Sequence, residues 1–541
     1  MSRRPGSSPA LHQLLVDAAR LAPESIAVLD LDQAGQPMAR SYRQLLARTE
    51  RFATALTDAG LRPADRVIVD AVNCATGIAM LMACSMVGVT FIPLSPEVPD
   101  QRAGQIVRLS RPQGYLQLPG TGRLDRLAEA AELPMTELAI AELAIAELEF
   151  DWAAEPILHR TVPGRSSQGR SSQPAGWLAA DIAYLIFTSG STGEPKGVAM
   201  SQQATSAFFA GTRGLLRASD RVASTAPLQF DFCLLDIGAC LANRCTIVPI
   251  PRDRLRWPRQ LVSMLRATDS TRVHAVPSAW RPLLRRQPEL LATLPPLAAV
   301  MYTGEPFPPA ELADLRRHLP DTRVINCYGP TECMACSFTD VTDFVDGSRT
   351  GMPVDGSYPG STLCIVDEQG RRIEEPDRPG QLRFTGPSVF TGYWSPDAEL
   401  HRPSTVHRPA GEQPSLLTGD YAHYGPDRRL YLDGRRDRQV KVAGNRVELA
   451  EIEATLSAVP GVEEARIVVQ HRDDAVRLIA FVAGPTAGKG KQDRVRACQR
   501  RSVARLPHYM RPARVIELGQ LPKNASGKVD QQELAQLAAR L

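Results

Sequence analysis

Four short β-rich runs, at residues 66–70, 181–187, 297–302 and 323–325, are each followed by a stretch with the spacing of an amphipathic helix. Strands that alternate with helices need crossover connections and pack as parallel sheets covered by helices, so the chain reads as α/β. At 541 residues it is longer than one hydrophobic core organises, which predicts more than one lobe. Near Asp433 the texture changes. Residues 440–442, 451–458, 466–470 and 477–482 run in β, α, β, β order with short connections, as in a compact α+β domain. The polar junction Gly434-Arg435-Arg436-Asp437 suits a linker, and the expected division is a large domain, 1–436, and a small one, 437–541.

Residues 137–173 break the alternation. An Ala-Ile-Ala-Glu-Leu unit repeats there, then Gly-Arg-Ser-Ser-Gln occurs at 164–168 and again at 169–173. The first repeat is expected as a short helix and the second as a flexible loop. Residues 71–96 carry no charge and are long enough to span a bilayer. The small residues at 75–83 nevertheless fit a packed helix, and 88–94 a short strand ending at proline, so no membrane is expected. Pro5, Gly6 and Ser7 stand where a secretory signal needs an apolar run, which leaves a cytoplasmic location as the expectation. A net charge of +4 spread over this length supplies no basic field for nucleic acid. Of ten scattered cysteines only Cys333 and Cys336 have the spacing of a metal or redox pair. With no second pair or nearby histidine to complete four ligands, they read as reduced packing residues.

Directly after the apolar run 183–187 comes Thr188-Ser189-Gly190-Ser191-Thr192-Gly193-Glu194-Pro195-Lys196-Gly197. The composition alone would suit a linker, but the preceding strand and the lysine fit a phosphate loop. Glycines let N–H groups converge on an anion, hydroxyls add donors, and the lysine adds charge. It is not the kinase-type loop, because Gly197-Val198 follows Lys196 where that loop has Ser or Thr.

With this loop, the sequence resembles the adenylate-forming superfamily: acyl-CoA synthetases, luciferases and the adenylation domains of nonribosomal peptide synthetases. Ser41-Tyr42-Arg43-Gln44-Leu45, Phe91-Ile92-Pro93-Leu94-Ser95-Pro96, Asn326-Cys327-Tyr328-Gly329-Pro330-Thr331-Glu332, residues 386–394, Thr418-Gly419-Asp420, residues 434–453 and residues 522–528 follow the family's order over nearly the whole chain. The resemblance implies an ATP-dependent ligase with a mobile small domain. Residues 188–196 would close on the β- and γ-phosphates, Thr331 would touch the α-phosphate, and Glu332 would hold Mg²⁺, which favours carboxylate oxygen. Tyr328 would stack on adenine with Asn326 and the Gly304-Glu305 turn at its edge. Asp420 would take the ribose hydroxyls, and Arg435 would support ribose and phosphate. Lys528 matches the lysine that bridges the attacking carboxylate and the α-phosphate, a fixed charge where the transition state gains charge. Asp437 would be the hinge, and the loop from Lys441 to Gly444 would replace Lys528 when a thiol arrives.

Asp231 lies between Phe230 and Phe232 and resembles the aspartate that binds the substrate ammonium in amino-acid-activating members. Burying it is costly unless a cation pairs with it, although an aspartate capping a helix that begins near Leu234 is the competing reading. The remaining pocket walls carried over are Phe232, Leu235, His274, Met301, Thr303, Cys327, Ala335 and Cys336. They imply a small to medium, uncharged amino acid. Phe232 is bulky enough to shift the ammonium, so a β-amino acid stands beside the α-amino acids. Gln202, Cys233 and Asp236 depart from the family's commoner residues. The sequence ends thirteen residues after Lys528 without a Leu-Gly-Gly-x-Ser-like attachment site, so the expected acceptor is the phosphopantetheine of a separate carrier protein. Alternatives are an acyl- or aryl-CoA synthetase using free CoA, and a nucleotide-binding regulator without catalysis.

Overall fold

The computed structural model describes residues 10–32, 34–118, 123, 126–127, 140–144, 157–161, 182–190, 194–344, 351–395, 400–408, 411–435, 438–472, 475–484, 491–523 and 529–540. Two large sheets build the N-terminal domain. In one, Arg323–Tyr328, Ala299–Tyr302, Arg272–Ala275, Arg221–Ser224, Thr246–Pro249 and Ile26–Leu31 lie side by side and parallel, with antiparallel strands Ser337–Asp340 and Pro37–Ser41 at its edges. The other centres on Arg66–Asp70, Thr90–Leu94 and Ile182–Thr188, and Lys196–Ser201 folds back antiparallel on the last of these.

Helices fill the space between the sheets. Ala75–Val87 touches Arg66–Asp70 and Thr90–Leu94 of one sheet and Ile26–Leu31 of the other, and it is buried from Ala75 through Ser85. It has no polar face, as a helix enclosed on all sides requires. Gly88 ends it at φ 85°, a left-handed position that glycine takes without strain. This is how the uncharged run at 71–96 is used, and no helix among the described residues is long and apolar enough to cross a membrane. The motif Ser41-Tyr42-Arg43-Gln44 is a capping box: the Ser41 and Gln44 side chains satisfy each other's backbone N–H at the start of helix Tyr42–Asp58.

The first repeat corrects the sequence reading. Expected as a short helix, it supplies strand Ile140–Ala144, paired antiparallel with Ile157–Thr161, which itself pairs with Gly114–Gln117. An available sheet edge outweighs the helix propensity of a short Ala/Glu/Leu segment. The second repeat, 164–173, lies outside the described residues. A further, antiparallel sheet sets Ser415–Tyr424 against Leu430–Arg435, with Asp420 opposite Arg435 in register.

The C-terminal domain has cores of its own. After the hairpin Gln439–Val442/Asn445–Glu448 comes helix Leu449–Ser457, then the sheet of Glu464–Arg472, Ala475–Ala483 and Arg514–Leu518. Ile452, Leu456 and Cys498, from helices Leu449–Ser457 and Lys491–Arg505, fill one face of that sheet, and Leu534 and Ala538 of helix Gln531–Ala539 fill the other.

Candidate active site

Strand Ile182–Thr188 and its partner Lys196–Ser201 are in register at Thr188 and Lys196, which fixes the two ends of the Ser/Gly/Thr segment against each other. A Cβ at Gly190 would stand 2.0 Å from the Glu194 carbonyl oxygen, so only glycine fits there. The Thr188 hydroxyl is buried with no partner among the described residues. Lys196 Nζ lies 4.8 Å from the centre of the Tyr393 ring, and burial, then the nearby Arg446, lowers its pKa. Ser191, Thr192 and Gly193 lie outside the described residues.

Tyr328, at the end of its strand, donates its hydroxyl to Asp420 at 2.5 Å. Arg435 donates to the other Asp420 oxygen at 3.2 Å and to the Thr418 carbonyl at 3.0 Å. Asn326 donates to the Pro353 carbonyl at 2.9 Å. Tyr328, Asp420 and Arg435 therefore form one connected patch, while Asn326, two residues before Tyr328 on the same strand, is bonded elsewhere. Glu305 turns instead to the Ser278 N–H at 2.5 Å and faces Arg281 at 3.7 Å, which anchors the turn after Gly304.

Thr331 and Glu332 follow on a single 3₁₀ turn. Glu332 is 3% exposed and accepts from Tyr393 at 2.7 Å, while one Arg446 guanidinium nitrogen sits 2.8 and 2.7 Å from its two oxygens. Burial alone would raise its pKa; Arg446, Lys196 and Tyr393 outweigh it and hold the group ionised, at about 2. Asp231 is the first residue of helix Asp231–Asn243, which starts earlier than the capping alternative supposed. It accepts from the Phe232 N–H at 2.9 Å and from the Thr331 side chain. Burial nonetheless pushes its pKa up to about 6.

The expected pocket walls converge beside it. Phe232 and Leu235 come from the same helix, and His274 and Met301 are neighbours in register on adjacent strands. Cys327 is hydrogen-bonded to the Thr303 side chain, and Ala335 and Cys336 are wholly buried where the chain turns back toward Ser337. The Phe232 ring stacks on His274 at a centroid distance of 6.3 Å and 27°. His274 Nδ1 is 2.6 Å from an Asp236 oxygen, while its Nε2 and the second Asp236 oxygen are buried without partners among the described residues. The sulfurs of Cys333 and Cys336 lie 3.2 Å apart, and no group of three potential metal-binding side chains surrounds them among the described residues.

The small domain closes over this site. Lys441 Nζ lies 5.8 Å from the Tyr328 ring centre. Gly304 and Gly444 meet backbone to backbone: a Cβ on Gly304 would be 2.8 Å from the Gly444 oxygen, and one on Gly444 would be 2.2 Å from Val276 Cγ1. Ser189 donates its hydroxyl to the Arg446 carbonyl at 3.0 Å and accepts from the Glu448 N–H at 3.1 Å. Gly190 N–H donates to Glu451 at 3.3 Å, and Glu451 is ion-paired with Arg102 in a buried contact. Tyr393, Arg446, Glu448 and Glu451 are features of this region that sequence reasoning passed over, and Asp236 was noted as a departure from the family without its pairing to His274. The available signal was the density of charge at 446–453 inside a segment already matched to the family. Asp437 and Lys528 lie outside the described residues; Lys523 and Val529, which flank 524–528, are bridged as partners.

Residues 15–394 match the profile of the AMP-binding enzyme family and residues 451–528 that of the AMP-binding enzyme C-terminal domain. An L-proline–[L-prolyl-carrier protein] ligase of Pseudomonas fluorescens is 31% identical over 97% of this chain and 98% of its own length. A D-alanine–D-alanyl carrier protein ligase of Bacillus licheniformis is 27% identical over 91% of this chain and 93% of its own. Among solved structures, that of IdnL1 is 37% identical, covers 95% of this chain and 99% of its own, and superposes with a TM-score of 0.78. The chain belongs to the AMP-binding enzyme family, whose members form adenylates from ATP.

Proposed function

We propose that this enzyme activates a small to medium, uncharged α- or β-amino acid as its adenylate and transfers the aminoacyl group to the phosphopantetheine thiol of a separate carrier protein. The observation that carries the reading is Asp231, a carboxylate beside the expected pocket walls whose pKa burial raises to about 6, where a substrate ammonium relieves the cost of ionising it. Two relatives named as amino acid–carrier protein ligases support the substrate class and the acceptor.

In this reaction a carboxylate oxygen of the amino acid attacks the α-phosphorus of ATP and the bond to pyrophosphate breaks. The carrier sulfur then attacks the acyl carbon, giving up its proton, and AMP leaves with the bonding electrons. Asp420, Arg435, Tyr328 and Asn326 are assigned to the nucleoside, and residues 188–196 to the phosphates. Lys528 is assigned to the carboxylate and α-phosphate during the first step. Glu332 fits Mg²⁺, because it is a hard oxygen donor held ionised and already drawing a cation to both oxygens. That ion would neutralise triphosphate charge. We further propose that the small domain starts at residue 437, turns about Asp437 and brings Lys441 to Gly444 beside the pocket for the thiol step. Ten free cysteines fit a reducing, cytoplasmic setting.

The test is amino acid-dependent exchange of pyrophosphate into ATP across α- and β-amino acids and their deaminated analogues, followed by transfer to a carrier or to CoA. Exchange confined to amines and transfer to the carrier are the expected results. Equal exchange with both acid classes identifies an acyl- or aryl-CoA synthetase instead.

A further inference from the structure

Several polar groups beside the expected pocket are already bonded within the protein. Cys327 is bonded to the Thr303 side chain, the Cys336 sulfur lies 3.2 Å from that of Cys333, and Asp231 accepts from the Phe232 N–H and from Thr331. His274 and Asp236 keep capacity to spare. They are 1% and 0% exposed, and Nδ1 of the first lies 2.6 Å from one oxygen of the second. His274 Nε2 and the other Asp236 oxygen are buried with no partner among the described residues. Leaving such atoms unbonded is costly, and a bound molecule that bonds them removes the cost.

The pair borders the expected amino acid site. Phe232, next to Asp231 in sequence, stacks its ring on His274 at 6.3 Å between centres, and Met301 is the register neighbour of His274 on the adjacent strand. Asp236 follows Asp231 by five residues on helix Asp231–Asn243, about 7.5 Å further along the axis. An ammonium and a hydroxyl on neighbouring carbons, with a hydrogen bond of about 2.8 Å at each end, span a comparable distance. The spare atoms also narrow the chemistry. With one proton between His274 and Asp236 both are acceptors, and with a second proton on the ring Nε2 is a donor. A hydroxyl donates and accepts, so it suits either state, whereas a methyl in its place bonds neither atom.

We propose, on the basis of the amino acid reading given above, that His274 and Asp236 are specificity-determining residues that select an amino acid with a hydroxyl on its side chain. His274 bonds that hydroxyl through Nε2. Asp236 holds the ring by Nδ1 and offers its second oxygen as a further acceptor.

The experiment compares kcat/KM in pyrophosphate exchange, with the full-length enzyme, for shape-matched pairs: serine against 2-aminobutyrate, threonine against valine, and 3-amino-4-hydroxybutyrate against 3-aminopentanoate. In the pair whose skeleton the pocket accepts, the hydroxyl member should lead by about tenfold or more. His274→Leu should bring that ratio close to one, and Asp236→Asn should lower it. A uniform loss of folded enzyme does not move a ratio between two substrates, so a destabilised variant still reports. A ratio near one in the wild type, or the wild-type ratio kept in either variant, would overturn the proposal. So would a lead taken by 2,3-diaminopropionate or asparagine, which would put an ammonium or an amide where the hydroxyl is assigned. Equal exchange with deaminated acids removes the amino acid reading itself, whereas amine-dependent exchange with a ratio near one removes the hydroxyl alone.

Discussion

Replacing Asp231 with asparagine keeps the shape of the side chain and removes its charge. In the free enzyme, burial raises the pKa of this carboxyl from 3.8 to about 6, which corresponds to about 3 kcal/mol in favour of the neutral form. For a carboxyl displaced upward, the associated stability is present below pH 3.8 and lost as pH rises through about 6. At pH 8 the ionised Asp231 therefore destabilises the free enzyme, and Asp231→Asn should raise the thermal midpoint there, with little change at pH 4. Binding reverses the sign. Removing one partner of a desolvated pair costs about 3 kcal/mol at the low end of the usual range, fitting because Asp231 retains some solvent contact. That is about 100-fold in kcat/KM for the amino acid, read by pyrophosphate exchange, against little change for a deaminated analogue. In the wild type, kcat/KM for the amino acid should fall about tenfold for each pH unit below the Asp231 pKa. An asparagine variant that keeps its preference for the amine, or that loses stability at pH 8, refutes the assignment of Asp231.

Three further outcomes follow from the geometry. Gly444→Ala puts a Cβ 2.2 Å from Val276 Cγ1 and at a left-handed φ of 77°, so transfer from preformed adenylate to the thiol should slow by about tenfold or more in single-turnover assays. Gly238→Ala puts a Cβ 2.1 Å from Phe209 Cζ inside the helix layer and should lower stability by about 1–3 kcal/mol, seen as a lower midpoint in denaturant. Lys528→Ala should reduce pyrophosphate exchange by about 100-fold or more while affecting transfer from preformed adenylate far less; equal losses in both steps would count against its proposed role.

Much of the fold was legible because it depends on local pattern. The runs at 66–70 and 323–325 became strands Arg66–Asp70 and Arg323–Tyr328, and the uncharged stretch at 71–96 became a helix with no polar face and the strand after it. Hydrophobic periodicity and chain punctuation carry that information directly. The repeat at 140–144 misled for the complementary reason: its helix-favouring composition is a weak local preference, and a sheet edge supplied from residues 114–117 and 157–161 outweighs it. Residues picked out by family motifs do come together where motif position suggests: Tyr328, Asp420 and Arg435 meet although more than ninety residues separate the first two.

What the sequence does not display is a contact whose energy depends on two charges arriving together from distant segments. Glu332 reads from the sequence as a metal carboxylate, and nothing local to Arg446 marks it as that carboxylate's partner; only the fold brings the two together. The same holds for His274 and Asp236, joined at 2.6 Å with one polar atom of each left over beside the pocket. A buried polar atom without a partner is costly, and the cost is offset when a ligand supplies the missing bond. The pocket is therefore less uniformly apolar than its residue types suggest. For the proposed amino acid substrate, a side chain able to bond near His274 should therefore be favoured in pyrophosphate exchange over a purely hydrocarbon one of the same size.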